Sequence, residues 1–183
     1  HFVVDIDIKG FFDNVQHGKL LKQLWQMGIR DKTLLSILSA MLKAEVAEIG
    51  FPERGTPQGG IISPLLANVV LNELDWWISS QWETIPTHHQ YAVTIAPNGT
   101  ASRGKTYRAL QSTQLKECWI VRYADDFKIL CRKRSDAVKL SAATQQWLKA
   151  RLGLDISPEK SGIVNLKKHY TEFLGIKIRV RQK

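Results

Sequence analysis

Cysteine is scarce in this sequence of 183 residues, and Cys118 and Cys131 are the only two. Two cysteines and five scattered histidines do not give the ligand spacing of a zinc site. A disulfide between the two cysteines is geometrically conceivable, because they flank one predicted turn. We expect two reduced thiols instead, which are typical of a cytoplasmic protein.

Long hydrophobic runs are also missing. No apolar stretch approaches the length of a membrane span and the first residues do not form a signal peptide, so we expect no membrane partner. The chain has no initiator methionine and opens with His1-Phe2-Val3-Val4, which is typical of a strand. We therefore expect a piece of a longer protein, of a size that forms one domain with a sizeable core.

Acidic residues are few in the second half of the chain. Residues 84–183 contain 19 Lys and Arg against 7 Asp and Glu, a net charge of +12, whereas residues 1–83 carry a net charge of −3. Such an asymmetry predicts a polyanionic partner that contacts mainly the second half. Nucleic acid is favoured over the alternative of a generic basic protein.

Two adjacent carboxylates lie in the middle of this basic half. Residues 118–122 and 127–131 are apolar and rich in strand formers, and between them stands Tyr123-Ala124-Asp125-Asp126. This pattern predicts a hairpin with two like charges at its turn. Such charges repel unless a cation is present, and hard oxygen ligands suit Mg²⁺ or Mn²⁺. The alternative is a solvated surface hairpin.

A third carboxylate stands near the start of the chain. Residues 2–8 alternate as a strand, so Asp5 and Asp7 share one face of it. Residues 9–14 then turn the chain, which aims Asp7 at a cleft. A simple strand-ending aspartate is the alternative.

A glycine-rich loop, residues 54–60, precedes a helix that we expect to run to about Trp82. Ser63 is its predicted cap and Pro64 its first residue. Bare backbone in such a loop allows a ligand to approach closely, and a helix start favours anions. The loop by itself is equally consistent with an ordinary turn.

The remaining elements follow from spacing. Apolar residues at helical intervals predict helices over residues 17–27, 31–44 and 135–152. Asp31 and Ser135 are the predicted caps of the second and third helices, and Val138 is predicted to point inward. Strands are predicted at residues 46–51, and as a tight hairpin at 170–173 and 176–180.

The stretch 84–117 is the least regular part of the sequence. Residues 91–95 and 107–110 are predicted to pair as a hairpin around a polar, basic tip. The stretch contacts nucleic acid or is only a solvated insertion.

Five motifs occur together in one order. They are residues 7–13, residues 55–68, Tyr123-Ala124-Asp125-Asp126, Glu159-Lys160-Ser161 and Phe173-Leu174-Gly175. With them the sequence resembles the palm of a reverse transcriptase, most of all those encoded by group II introns. The resemblance covers nearly the whole chain except residues 84–117. It implies an α+β fold, a small antiparallel sheet with helices packed on one face.

The resemblance also implies a two-metal site. Asp7, Asp125 and Asp126 would hold two Mg²⁺ ions, which Mn²⁺ can replace, with the Ile8 carbonyl as an extra ligand and Asp126 as the less direct one. In nucleotidyl transfer one ion activates the primer 3′-hydroxyl and the other stabilises the leaving pyrophosphate.

Further residues match motifs that contact the nucleotide and the primer. Phe12 resembles the steric gate that excludes a 2′-hydroxyl, although an ordinary core phenylalanine is the alternative. Gln58, Gly59 and Gly60 would contact the incoming nucleotide, and Phe173, Leu174 and Gly175 would form the primer grip. Lys160 would protonate pyrophosphate as a general acid, unless it is only a solvated turn lysine. Arg122, Lys128 and residues 132–134 would bind phosphates or face solvent.

The implied activity is RNA-directed DNA synthesis from dNTPs on an RNA template and a DNA primer. The parent protein would also bind its group II intron RNA and aid splicing and mobility. We expect residues 1–183 to be the palm, with fingers upstream and a thumb and maturase region downstream. The isolated palm is therefore expected to be weakly active or inactive. Surfaces that the other subdomains would cover are expected to favour a homodimer. Alternatives are a retron or diversity-generating reverse transcriptase, an RNA-dependent RNA polymerase, which Phe12 disfavours, and a non-catalytic RNA-binding scaffold.

Overall fold

A four-stranded antiparallel sheet forms the centre of the structure, a computed structural model that describes residues 1–45, 50–56 and 60–181. The strands lie in the order β4 (Cys118–Tyr123), β5 (Asp126–Cys131), β1 (Phe2–Ile6) and β6 (Gly162–Asn165). Two short hairpins accompany it: β2 (Thr94–Ile95) with β3 (Ala101–Ser102), and β7 (Thr171–Phe173) with β8 (Ile176–Ile178).

Alternation along the strands gives the sheet one apolar face and one polar face. Val4 and Ile6 are buried in the core together with Phe127 and Ile129, and these residues pair across β1 and β5. Asp5 points to the opposite face of β1. The apolar face is covered by helices, which confirms the predicted arrangement of a small antiparallel sheet with helices on one face.

The helices are α1 (Phe11–Asn14), α2 (His17–Gln26), α3 (Lys32–Leu42), α4 (Ser63–Ser80), α5 (Gly104–Gln111) and α6 (Arg134–Trp147). A π-helical segment, Leu148–Leu152, extends α6. Helices α4 and α6 pack on the sheet, and α2 packs on α4. Across the described residues, no helix is both long and apolar enough to cross a membrane.

One predicted helix cap is confirmed and two are wrong. Asp31 accepts hydrogen bonds from the backbone N–H groups of Thr33 and Leu34 at the start of α3. Ser63 is not a cap, because a turn in which its N–H donates to the Gly60 carbonyl (3.0 Å) draws it into α4.

The cap predicted at Ser135 is also wrong, because α6 begins earlier. Lys133 occupies the cap position, and its carbonyl accepts from Ala137 N–H at 3.1 Å. This shift turns Ala137 and Leu140 inward and leaves Val138 45% exposed, contrary to the prediction.

The insertion contains a hairpin, but it is shorter than predicted. Strands β2 and β3 form it, whereas residues 107–110 belong to helix α5. Tyr107 packs edge-on against Trp119 and Leu110 is buried, and this i, i+3 spacing is that of one helix face, since residues three apart point to opposite faces of a strand. Most of the strand predicted at residues 46–51 lies outside the described residues.

Candidate active site

A cleft of about 690 Å³ opens at the end of the sheet where β1 ends and the β4–β5 turn lies. Among the residues that line it are Asp7, Phe12, Gly60, Asp125 and Lys160. They come from separate stretches of the sequence, and Ile8 lines the cleft with them. The structure therefore brings six of the twelve predicted site residues to one place.

Asp7 is held at the cleft by a turn that follows the π-helical segment. Its carbonyl accepts from the N–H of Ser157 at 2.8 Å, and its own N–H donates to Oγ of Ser161 at 3.1 Å. Lys160 lies on this turn and is exposed, so its side chain is free to reach into the cleft. The hydrogen bonds of Ser157 and Ser161 to Asp7 thus hold the backbone of the turn that carries Lys160 beside Asp7.

Phe12 lies on a helical turn where the sequence predicted only a bend. Gly10 adopts φ 51° and starts α1, which brings the half-buried Phe12 ring to the cleft wall against Phe11 (5.2 Å between centroids). The N–H of Thr56 donates to the Phe12 carbonyl at 2.7 Å. The glycine-rich loop is therefore attached beside Phe12.

Gly55 makes this attachment possible. Its N–H donates to the Val15 carbonyl at 2.7 Å, and its own carbonyl contacts Nε2 of buried His17 at 2.7 Å. The predicted nucleotide contacts Gln58 and Gly59 lie outside the described residues, whereas Gly60 lines the cleft.

Arg122 anchors the turn that carries the paired carboxylates. Ala124 in this turn adopts φ 52°, a conformation that is uncommon for a residue with a Cβ. Arg122 donates from Nη1 to the Ala124 carbonyl (2.8 Å) and to Oδ1 of Asn68 (2.8 Å), and it pairs with Asp75 through Nε (2.8 Å) and Nη2. Neither role predicted for Arg122 is correct, because its partners are the turn and helix α4.

Asp126 sits on the polar face of the sheet rather than in the wall of the cleft. Its Oδ1 lies 3.9 Å from Nζ of Lys128. Burial raises the pKa of Asp126, the charges of Asp5, Asp125 and Asp7 raise it further, and Lys128 opposes this shift. Asp126 is thus close enough to three other carboxylates to be affected by their charges.

The donor set fits a divalent cation in type and place. Asp7 and Asp125 offer hard oxygen ligands to the same cleft, and an ion there would relieve their repulsion. Within residues 1–45, 50–56 and 60–181, no three Asp, Glu, His or Cys side chains are already gathered as a ligand set. The prediction of Asp126 as the less direct ligand stays a prediction.

The β7–β8 hairpin lies on the polar face of the sheet, beside Asp126. Leu174 and Gly175 form its turn with φ 53° and 75°, and Leu174 is exposed. The Phe173 ring lies 5.8 Å from Nζ of Lys128. The predicted primer-grip residues are therefore adjacent to the carboxylates without lining the cleft.

Sequence reasoning missed an ion pair at this point, in which Lys128 is buried and the Asp5 side chain is 28% exposed. Lys128 is only 5% exposed, and its Nζ lies 2.6 Å from Oδ2 of Asp5. The same Oδ2 accepts a hydrogen bond from Oγ1 of Thr171 at 3.2 Å. Lys128 therefore neither faces solvent nor is available to a phosphate. Period-two alternation places Asp5 and Lys128 on the polar face, and that signal could have suggested the pair.

Known proteins resemble this chain over almost all of its length. Residues 1–178 match the family model described as reverse transcriptase (RNA-dependent DNA polymerase). The group II intron-encoded protein LtrA of Lactococcus lactis subsp. cremoris is 31% identical over 98% of this chain and 35% of its own. Protein YkfC of Escherichia coli is 28% identical over 84% of this chain and 42% of its own. The chain thus spans well under half the length of these relatives.

Solved structures show the same fold at low sequence identity. Apo telomerase from Candida tropicalis matches 97% of this chain and 31% of its own, with a TM-score of 0.63 and 10% identity. Telomerase from Candida albicans, in complex with a fragment of telomeric RNA, has a TM-score of 0.58 and 12% identity. At such identities the likeness concerns the fold alone.

Proposed function

This chain belongs to the reverse transcriptase family, and on that premise we propose that it is the palm of an RNA-directed DNA polymerase encoded by a group II intron. The family predicted from the sequence motifs is confirmed, and LtrA is among the relatives. The activity of the whole protein, its substrates and its partners are part of the proposal.

One observation carries it: Asp7, Phe12, Gly60, Asp125 and Lys160 line a single cleft. Two carboxylates, an aromatic ring, a loop glycine and a cation are the groups that metal-assisted addition of a nucleotide needs. A structural hairpin or an ordinary turn gives no reason for these five to converge.

Asp7 and Asp125 would hold the ions, with the Ile8 carbonyl as an extra ligand and Asp126 contributing less directly. A bound pair of Mg²⁺ ions, or Mn²⁺ in their place, supplies the activation of the primer 3′-hydroxyl and the stabilisation of pyrophosphate. The protein contributes the fixed carboxylates, whose turn Arg122 holds against α4.

Other residues of the cleft would bind and select the nucleotide. The Phe12 ring, which lines the cleft, would exclude a 2′-hydroxyl, and Gly60 with Gln58 and Gly59 would let the nucleotide approach the loop. Lys160 would donate a proton to the leaving pyrophosphate or stabilise its charge.

The β7–β8 hairpin would grip the primer through residues 173–175. RNA template binding follows from the family, and the net charge of +12 over residues 84–183 supports a polyanion in this region. We also propose that the parent protein acts on its intron RNA in splicing and mobility and works in the cytoplasm. Residues 1–183 alone would be weakly active and prone to form a homodimer, as the palm between fingers and thumb.

Primer extension by the full-length natural protein on an RNA template tests the proposal. We expect Mg²⁺-dependent DNA synthesis that is abolished by Asp7→Asn. The matched control is Asp31→Asn, which removes one charge away from the cleft and keeps a good helix cap.

A non-catalytic scaffold would give a different result. It would bind RNA with a steep salt dependence, as a polymerase also does, but it would make no DNA with or without the substitution. Equal use of rNTPs and dNTPs by the natural protein would instead favour an RNA polymerase. Either result would overturn the proposed function.

A further inference from the structure

The Lys128–Asp5 pair has two neighbours that belong to different parts of the proposed site. One is Asp126, whose Oδ1 lies 3.9 Å from Lys128 Nζ. The other is the β7–β8 hairpin, which contacts the pair through Oγ1 of Thr171 and the ring of Phe173. The pair therefore stands between a carboxylate and the hairpin expected to hold the primer.

A second hydrogen bond joins the open end of the hairpin to the rest of the fold. After β8, the N–H of Val180 donates to the Leu166 carbonyl at 3.1 Å, which holds the chain that leaves the hairpin. Buried Thr171, which pairs with Ile178 at this same open end, donates to Asp5 and holds the β7 side. Loss of the Thr171 contact would leave the open end held on the β8 side, so that the turn at the other end would move relative to Asp126.

A partly buried ion pair such as Lys128–Asp5 is a weak source of net stability, because desolvation of Lys128 offsets much of the attraction and water reaches Asp5. Its effect on orientation is larger. Asp5 Oδ2 accepts hydrogen bonds from both Lys128 Nζ and Thr171 Oγ1. Movement of either donor therefore shifts the carboxylate oxygen to which the other donor is bound. An apolar pair at these positions would pack as well and would orient nothing.

We propose that Lys128, Asp5 and Thr171 form a positioning network that sets the β7–β8 hairpin, and with it the primer backbone, at a fixed place beside Asp126. The proposal deepens the proposed function and rests on it, including the grip assigned to residues 173–175. These three residues act through Asp126 and the hairpin and are not themselves catalytic.

Thr171→Val in the full-length natural protein is the most direct test, because it removes one hydroxyl and keeps the shape. The readouts are the Kd for a primer–template duplex by fluorescence anisotropy and the rate of one dNTP addition at saturating duplex. We expect Kd to rise about fivefold, the order of effect of one ordinary intramolecular hydrogen bond, and the saturated rate to change less than about twofold.

Thr144→Val is the matched control. Thr144 is fully buried in α6, and its Oγ1 has no hydrogen-bond partner within the described part of the chain. This substitution should leave Kd and rate unchanged. An unchanged Kd in Thr171→Val, with only a lower melting temperature, would overturn the proposal.

Lys128→Met provides a second arm through the same carboxylate. Combined with Thr171→Val, it should raise Kd by less than the product of the two single effects, since both act through Asp5. Multiplicative effects would contradict a shared network.

Failure of the proposed function is distinguishable from failure of this inference. If the natural protein binds duplex but makes no DNA, the polymerase proposal falls, and the Kd ratio still decides whether the network positions the hairpin. If it does not bind duplex at all, both proposals are overturned.

Discussion

Arg122 on strand β4 forms a two-point ion pair with Asp75 on helix α4, through Nε at 2.8 Å and through Nη2. The Arg122 side chain is only 10% exposed, and Asp75 is 33% exposed. Because the same guanidinium also donates to the Ala124 carbonyl, it joins the helix that follows the glycine-rich loop to the turn before Asp125. Arg122 thus anchors both the helix and the turn that form two walls of the cleft.

Replacing Arg122 by Met should lower both stability and DNA synthesis. We expect a loss of about 2 kcal/mol in the free energy of unfolding, below the usual cost of breaking a fully buried pair because water reaches Asp75. Without Arg122 the turn before Asp125 is no longer held in place. We expect DNA synthesis to fall more than tenfold, because misplacing a catalytic carboxylate has large effects on rate. Urea denaturation and primer extension measure the two effects.

Arg132→Met is the matched control, because Arg132 is 57% exposed and lies 3.5 Å from Glu117. An exposed pair of this kind contributes less than about 1 kcal/mol. Equal losses in the two variants would show that Arg122 has no special role.

Phe12→Ala should relax the choice of sugar. Removing the ring from the cleft wall opens space beneath the nucleotide, so rNTP incorporation should rise by roughly 10- to 100-fold relative to dNTP incorporation. The kcat/KM ratio for one dNTP and its rNTP, measured in the same variant, is insensitive to the amount of active protein. A ratio equal to that of the natural protein would mean that Phe12 is only a packing residue.

Gly55→Ala should damage the cleft through a local clash. A Cβ at Gly55 would lie 3.1 Å from the Phe12 carbonyl oxygen and 3.2 Å from that of Asp13, at φ +99°. Gly28 has a similar φ of +100°, but its Cβ would meet nothing within 4 Å. We expect Gly28→Ala to cost about 1 kcal/mol from backbone strain alone.

The comparison of these two variants separates strain from contact. Gly55→Ala should cost about 1–3 kcal/mol more than Gly28→Ala and should also reduce dNTP incorporation, because the loop would move away from Phe12. Thermal unfolding and single-nucleotide addition are the measurements. The idea fails if both variants lose the same stability and keep the same activity.

Cys118 and Cys131 should resist alkylation in the native protein. They are register partners on β4 and β5, both are buried and free, and burial raises the pKa of each thiol to about 12. The reactive thiolate is therefore nearly absent at pH 8. Mass spectrometry after iodoacetamide treatment should find both unmodified until a denaturant is added. Rapid modification of the native protein would contradict the burial.

The raised pKa of the two cysteine thiols also affects the stability of the fold. A thiol whose pKa is raised above its unfolded value of 9.0 stabilises the fold fully below that pH. This contribution is lost as pH rises from 9 toward 12. Replacing both cysteines by Ala should therefore make the unfolding free energy less dependent on pH in this window.

Strand elements could be predicted from the sequence because alternation and turn chemistry act locally. The β4–β5 hairpin, the first strand and the β7–β8 hairpin follow from patterns of two and from Ala124-Asp125 and Leu174-Gly175 at the turns. The prediction that Asp7, Asp125 and Lys160 converge rested on the order of the family motifs. Local sequence patterns do not predict which distant residues meet.

Interactions between distant residues could not be predicted. Arg122 and Asp75 are 47 positions apart, and Lys128 and Asp5 are 123 apart, so only the packed fold shows that these cations are paired. The error at residues 107–110 has a different cause. Apolar residues three apart share a face on a helix but not on a strand, so the spacing of Tyr107 and Leu110 was misread, and Tyr107 packs on Trp119 from helix α5.

The most direct test of the central claim is single-nucleotide addition to an RNA-templated primer by the full-length natural protein and by Asp125→Asn. The claim is that Asp125 and Asp7 act together in one cleft as ion-binding carboxylates. We predict Mg²⁺-dependent dNTP addition that falls by at least about 10³-fold in the variant while duplex affinity is kept. Undiminished addition by Asp125→Asn would contradict the account, since the cleft would then not be the place where the chemistry occurs.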